Sequence, residues 1–236
     1  MNGAELYAAR LAAWAPGIES SGEWEQWAQG KREIASGTKG PEITFTDSLF
    51  RRRLSVISRM TVQVVHDLLP VGENTKMLFV SFRGELSRQY QINKMLIEEK
   101  SLMPAAFSLS VFNAPPALAS IALGLKGGYL ALYPGNNSFA AALAAAEASL
   151  PKEAPLPKEA PLPKEAGELI FVYADEEAPP EYGLSFNECL PAVAFAVLLT
   201  RKPQSSSIPL SSFEGVNDPL DFLRRLLLRG KIHVSS

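Results

Sequence analysis

Gly124-Leu125-Lys126-Gly127-Gly128-Tyr129-Leu130-Ala131-Leu132-Tyr133-Pro134-Gly135-Asn136-Asn137-Ser138-Phe139 is the stretch that decides the fold. It parses as a glycine-rich turn, a short apolar strand over 129–132, a Pro-Gly turn, and the opening of an alanine-rich helix. That helix continues Ala140-Ala141-Ala142-Leu143-Ala144-Ala145-Ala146. It is small and apolar all round, as a helix buried between layers is. Asn136 stands at the strand-to-helix junction. A carboxamide there can cap the helix, but it offers no ionisable nucleophile to acylate.

Working outward, residues 5–14 alternate loosely and stop at Pro16-Gly17, a strand ended by a turn. Ser20 with Glu23 three residues on predicts a capping box for a short helix carrying Trp24 and Trp27. Asp47 or Ser48 starts the next helix. Its apolar stripe runs Phe50, Leu54, Ile57, Val64 and Leu68, with Arg51, Arg52, Arg53 and Arg59 near the opposite face. Residues 75–82 read as a compact apolar strand and 87–100 as a helix. Residues 106–113 alternate apolar and polar, which predicts an extended segment. A short helix over 115–123 then leads into the glycine turn. Residues 168–174 and 191–200 read as two final strands, the second apolar enough to be covered on both faces.

Residues 1–200 thus form one α/β domain, followed by a tail over 201–236 with an amphipathic helix at 218–229. The one low-complexity segment, 150–167, repeats Pro-Lys-Glu-Ala-Pro-Leu and reads as an extended loop insertion. A docking motif for a partner is the alternative.

With 236 residues, 47% of them hydrophobic, the chain is long enough to bury a sizeable core. A net charge of −2 gives no reason to expect nucleic acid or an anionic membrane as partner. The single Cys189 forms no internal disulfide and suits a reducing cytosol. The first five residues lack the basic start and apolar run of a leader, and no apolar run approaches the ~20 residues of a membrane helix. A cytoplasmic location is the expectation. No cofactor or metal is expected: no second His or Cys sits at metal spacing from His66, which reads as a helix-surface or capping residue.

Four further motifs accompany the glycine turn: Trp14-Ala15-Pro16-Gly17, Arg51-Arg52-Arg53-Leu54-Ser55-Val56-Ile57-Ser58-Arg59, Arg83-Gly84-Glu85-Leu86, and Phe107-Ser108-Leu109-Ser110-Val111-Phe112-Asn113-Ala114-Pro115. In this order and spacing the chain resembles the β-ketoacyl synthase N-terminal-domain family of the thiolase superfamily, in its branch of short proteins. The resemblance implies an α/β, thiolase-like half: a single βαβαβαββ unit with a mixed five-stranded sheet and helices on both faces. It also places the family's catalytic cysteine nine residues after Gly127, where this chain has Asn136. The family's two catalytic histidines belong to a second half, and this chain ends soon after the first. Neither His66 nor His233 lies where that pair would be.

The resemblance further implies a chain-length-factor-like subunit of aryl polyene type II polyketide systems. Such a subunit is no enzyme on its own and heterodimerises with a catalytic ketosynthase, through which it meets an acyl carrier protein. Tyr129, Leu130, Ala131 and Leu132 would form the strand that pairs across the dimer axis. Phe107, Val111 and Phe112 would border the partner's acyl tunnel. The arginines at 51–59 would either receive the acidic carrier protein or form a solvated face paired with local carboxylates. A residual acyl-thioester or malonyl-decarboxylase activity and a stand-alone acyl-binding module are the alternative functions.

Overall fold

The computed structural model of the protein describes residues 5–37, 39–101, 104–135, 138–150, 167–183, 191–230, 232 and 234–235. Asn136, Cys189, His233 and the proline-rich repeat lie outside the described residues.

Strand β1 (Tyr7–Trp14) ends at the Pro16-Gly17 turn, with Gly17 at φ +75°. Helix α1 (Ser21–Ala28) opens with the expected capping box: Ser20 Oγ accepts the Glu23 N–H, and Glu23 Oε2 accepts the Ser20 N–H. The region expected to be one helix is two, α2 (Ser48–Arg51) and α3 (Val56–Asp67). The break comes at Ser55, whose hydroxyl accepts the Ser58 N–H and starts a new helix. Strand β2 (Lys76–Val80), α4 (Leu86–Glu98), α5 (Pro104–Ser108), α6 (Ala114–Leu123) and β3 (Tyr129–Leu132) follow. Helix α7 (Phe139–Ser149), β4 (Glu168–Asp175), β5 (Val193–Thr200), β6 (Ile208–Pro209), a tail helix α8 (Pro219–Leu228) and β7 (Val234–Ser235) complete the order.

Residues 106–113 are not extended. Pro104 pre-sets helical backbone for α5, and the hydroxyls of Ser108 and Ser110 bond back to the carbonyls of Ala105 and Phe107 at 3.0 and 2.9 Å. These local bonds outcompete the alternating pattern.

The sheet runs β3-β2-β4-β5-β1, with β6 and β7 both on β1. Among the described residues it therefore has seven strands rather than the expected five. The two extra strands are two-residue pieces, too short to leave a pattern in the sequence. β2 pairs parallel with β3 and β4, while β5 is antiparallel to both β4 and β1.

Side chains alternate between two cores, one per face. Leu169, Phe171, Tyr173, Phe195 and Val197 face α1, α7 and α8, while Ile170, Val172, Ala174, Ala194 and Ala196 face α3 and α6. The division matches the helices. The alanines of α7 fill little volume, so aromatic rings do: Phe139, Phe171, Tyr173, Phe195, Phe213 and Phe222 stack there with centroids 4.8–6.5 Å apart. On the other face α3 supplies Ile57, Met60, Val64 and Val65, which pack against Met77, Phe79, Ile170, Val172 and Leu198 and against Ala12, Ala174, Ala194 and Ala196 of the sheet.

Candidate functional site

The parallel strands β3, β2 and β4 end together, the position where open α/β sheets carry their sites. Gly127 brings the chain into β3: a Cβ there would lie 2.2 Å from the Asn74 carbonyl oxygen, so only glycine fits. Helix α7 begins at Phe139 with Ser138, not Asn136, in the N-cap position. The Ser138 side chain makes no cap bond, and the Phe139 N–H is met by the Asn217 carbonyl at 3.3 Å. Tyr133 and Phe139 flank the junction that carries Asn136. The ring of Tyr133 meets Phe82 at 6.5 Å, and that of Phe139 meets Tyr173 at 6.0 Å.

Beneath these rings the turn after β2 is pinned by Asp175. Its Oδ1 accepts the Ser81 hydroxyl at 2.6 Å and the Arg83 N–H at 3.0 Å, and its Oδ2 accepts the Tyr173 hydroxyl at 2.7 Å and the Phe82 N–H at 3.1 Å. Burial lifts the Asp175 carboxyl above the usual range, and these donors hold part of that rise back. Burial, with Asp175 adding to it, also raises the Tyr173 phenol well above its ordinary value.

The start of α4 is capped from a distance. Glu85 occupies the N-cap without a cap bond from its side chain, and Glu176 Oε1 accepts the Ser87 N–H at 3.0 Å instead. Glu85 is fully buried. Its Oε1 accepts the hydroxyls of Ser55 and Ser58, both at 2.7 Å, while Oε2 has no hydrogen-bond partner and only the Arg88 Nε at 3.7 Å. Burial raises both carboxyls, that of Glu176 to about 7. Sequence reading missed this cluster because its members are some ninety residues apart. The signal present was Asp175-Glu176-Glu177, an acidic run closing an apolar strand.

The raised Glu176 carboxyl carries a sign. A folded-state pKa above the unfolded one means that its contribution is complete below about 4.5 and is lost as pH rises through about 7. Urea unfolding between pH 5 and 8 is expected to show wild-type stability falling with pH. Glu176→Gln, neutral throughout, removes on the order of 2–3 kcal/mol of that fall. Equal slopes for the two proteins would refute the assignment.

β3 forms the outer edge of the sheet and pairs only with β2 among the described residues. The Met77 N–H bonds Gly128 and the Ser81 N–H bonds Leu132, so the ladder uses 128, 130 and 132. The N–H and C=O of Tyr129 and Ala131 therefore point to the open side. Leu130 is 58% exposed; Tyr129, Ala131 and Leu132 are half-buried. The opposite edge, β1, is covered by β6 and β7.

Phe107, at 56%, and Val111, at 40%, are exposed. Phe112 turns inward against Phe79, 6.1 Å away, and over Gly84, where a Cβ would come within 2.6 Å of its ring. Of the eleven large apolar side chains exposed among the described residues, seven belong to the stretch from Leu96 to Tyr133.

In the basic cluster Arg52 and Arg53 are exposed, whereas Arg51 and Arg59 are half-buried. Arg51 donates to the Thr46 carbonyl at 2.6 Å and Arg59 to the Arg51 carbonyl at 2.9 Å, so these guanidiniums hold backbone rather than the carboxylates expected of a solvated face. His66 stacks on Phe45 with centroids 3.6 Å apart, a packing role. Among the described residues no cluster of three or more His, Cys, Asp or Glu could hold a metal ion, and no helix is long and apolar enough to cross a membrane.

An α/β sheet in this order, entered by a glycine turn and followed by an alanine helix, defines a thiolase-like half. The family model of the β-ketoacyl synthase N-terminal domain matches residues 24–217, and the chain belongs to that family. No curated protein matches the chain. Among solved structures, the chain is similar to one from the ketosynthase ApeO in complex with its chain length factor ApeC, from Xenorhabdus doucetiae. The TM-score is 0.65 at 24% identity, covering 94% of this chain and 91% of that one. It is also similar to the ketosynthase from module 1 of the bacillaene synthase of Bacillus amyloliquefaciens. There the TM-score is 0.51 at 18% identity, covering 84% of this chain but 41% of that one.

Proposed function

We propose that this chain is a non-catalytic, chain-length-factor-like subunit that pairs with a β-ketoacyl synthase and helps to shape its acyl tunnel. The observation that carries the reading is the asymmetry of the sheet. One edge is closed by β6 and β7, whereas β3 leaves outward N–H and C=O groups, with the exposed side chains of Leu130 on the strand and Tyr133 directly after it. An open apolar edge is a pairing surface and a liability without a partner. The near-equal length of this chain and its match in the ApeO–ApeC complex supports the same reading. On it, residues 1–200 carry the half-domain, 201–236 form a tail that closes it, and the acyl carrier protein is met through the ketosynthase in the cytoplasm.

Asn136 at the nucleophile position has no group to acylate, and residues that act as a unit in catalysis are not restored singly. Incubated with acyl and malonyl thioesters, the purified chain is expected to gain no mass, and Asn136→Cys alone to yield no condensation product. An acyl adduct on the wild-type chain would contradict the non-catalytic role. Co-expression with a ketosynthase encoded alongside it, followed by sizing, tests the pairing; a soluble monomer that ignores the ketosynthase would overturn it.

A further inference from the structure

The segment over 107–112 combines two features that core segments do not. Its apolar side chains at Phe107 and Val111 point outward, while its backbone is gripped from behind by the first turn of α4. Arg88 Nη1 donates to the Leu109 carbonyl at 3.1 Å, Nη2 to the Arg53 carbonyl at 2.8 Å, and Gln89 Nε2 donates to the Ser110 carbonyl at 3.1 Å. Behind Arg88 lies Glu85, fully buried and fixed by Ser55 and Ser58. Phe112 closes over Gly84, which leads into α4. A planar guanidinium that reaches two carbonyls on different segments fixes distance as well as direction. The arrangement sets how far Phe107 and Val111 stand out from the molecule.

We propose that Arg88 and Gln89, braced by Glu85, are positioning residues that set the projection of Phe107 and Val111 and thereby the chain length the paired ketosynthase tunnel accepts. The proposal rests on the tunnel-shaping reading above and adds the residues that determine specificity behind it.

The test uses the full chain in complex with its ketosynthase, as Arg88→Lys, Gln89→Glu and Phe107→Ala. Lysine keeps the charge but cannot reach both carbonyls; glutamate keeps the shape but loses the donor. Amide hydrogen exchange of peptides covering 104–113 is expected to quicken about tenfold in both clamp variants, the effect of one net hydrogen bond. Their products are expected to spread toward longer chains while the melting temperature stays within a few degrees. Unchanged exchange in both variants overturns the clamp. Faster exchange with unchanged product length, while Phe107→Ala does shift length, overturns the proposal and leaves the tunnel reading standing. Unchanged length in Phe107→Ala as well, from a well-folded complex, overturns the tunnel reading together with the proposal.

Discussion

Ala131→Pro is expected to abolish co-purification with the ketosynthase while the chain itself still folds. The reason lies in the alternation of the β3 ladder. Ala131 directs its N–H to the open side, so proline there removes a donor that only a partner strand would use. Leu130→Pro, one residue earlier, strikes the groups that face β2 and is expected to destabilise the isolated chain as well. The contrast between neighbours separates an interface effect from a folding effect, which a single variant would not. An interface of this kind buries on the order of 2,000–5,000 Å² when obligate, so its loss should be complete in a pull-down. Normal recovery of the Ala131→Pro complex would show that the two chains do not join through this strand.

Phe222→Ala is the second large effect, expected to cost about 3–5 kcal/mol of stability. Phe222 is fully buried, and its ring lies 4.8 Å from Phe213, 5.4 Å from Phe139 and 5.9 Å from Phe195. It is the contribution of α8 to an aromatic layer that the alanines of α7 leave room for. Nothing smaller fills the same volume, and the cavity would open against Phe139 at the start of α7. Leu228→Ala, 56% exposed on the same helix, is expected to change stability by no more than about 0.5 kcal/mol. Removing residues 216–236 is expected to expose the whole layer and cause aggregation. Urea unfolding of the two point variants, and light scattering of the truncated chain, check these outcomes. A Phe222→Ala protein as stable as wild type would mean that the tail does not hold the core.

Sequence patterns were legible where one short-range interaction dominates. The Ser20–Glu23 capping box, the glycine turn and the apolar strands β2, β4 and β5 all follow from neighbours a few residues apart. The misreadings share a cause as well. In residues 106–113 the alternating pattern was real, but Pro104 and two back-bonding serines outweighed it. In residues 48–68 the apolar stripe continued across a break set by Ser55. The buried carboxyls were illegible because charge in a sequence reads as surface. Asp175, Glu176 and Glu85 are buried only because distant serines, a tyrosine and backbone N–H groups meet them. Phe112, expected beside Phe107 and Val111 at the tunnel, is half-buried, its ring over Gly84 and against Phe79, a placement that a distant glycine decides and the local pattern does not show.

Strand β1 has a consequence for the order of assembly. Its partners in the sheet are β5, β6 and β7, so Tyr7 waits for Thr200 and Leu11 for Val234. During synthesis β1 emerges about 180 residues before β5, the earliest of its partners, and closing so long a loop is slow. An apolar strand idle for that time invites misassociation. The composition of β1 moderates the hazard: Ala8, Ala9, Ala12 and Ala13 make up half of it, and alanine buries little area in any wrong contact. Larger residues at these positions would suit a strand that pairs early, whereas this one must remain uncommitted until β5 has emerged.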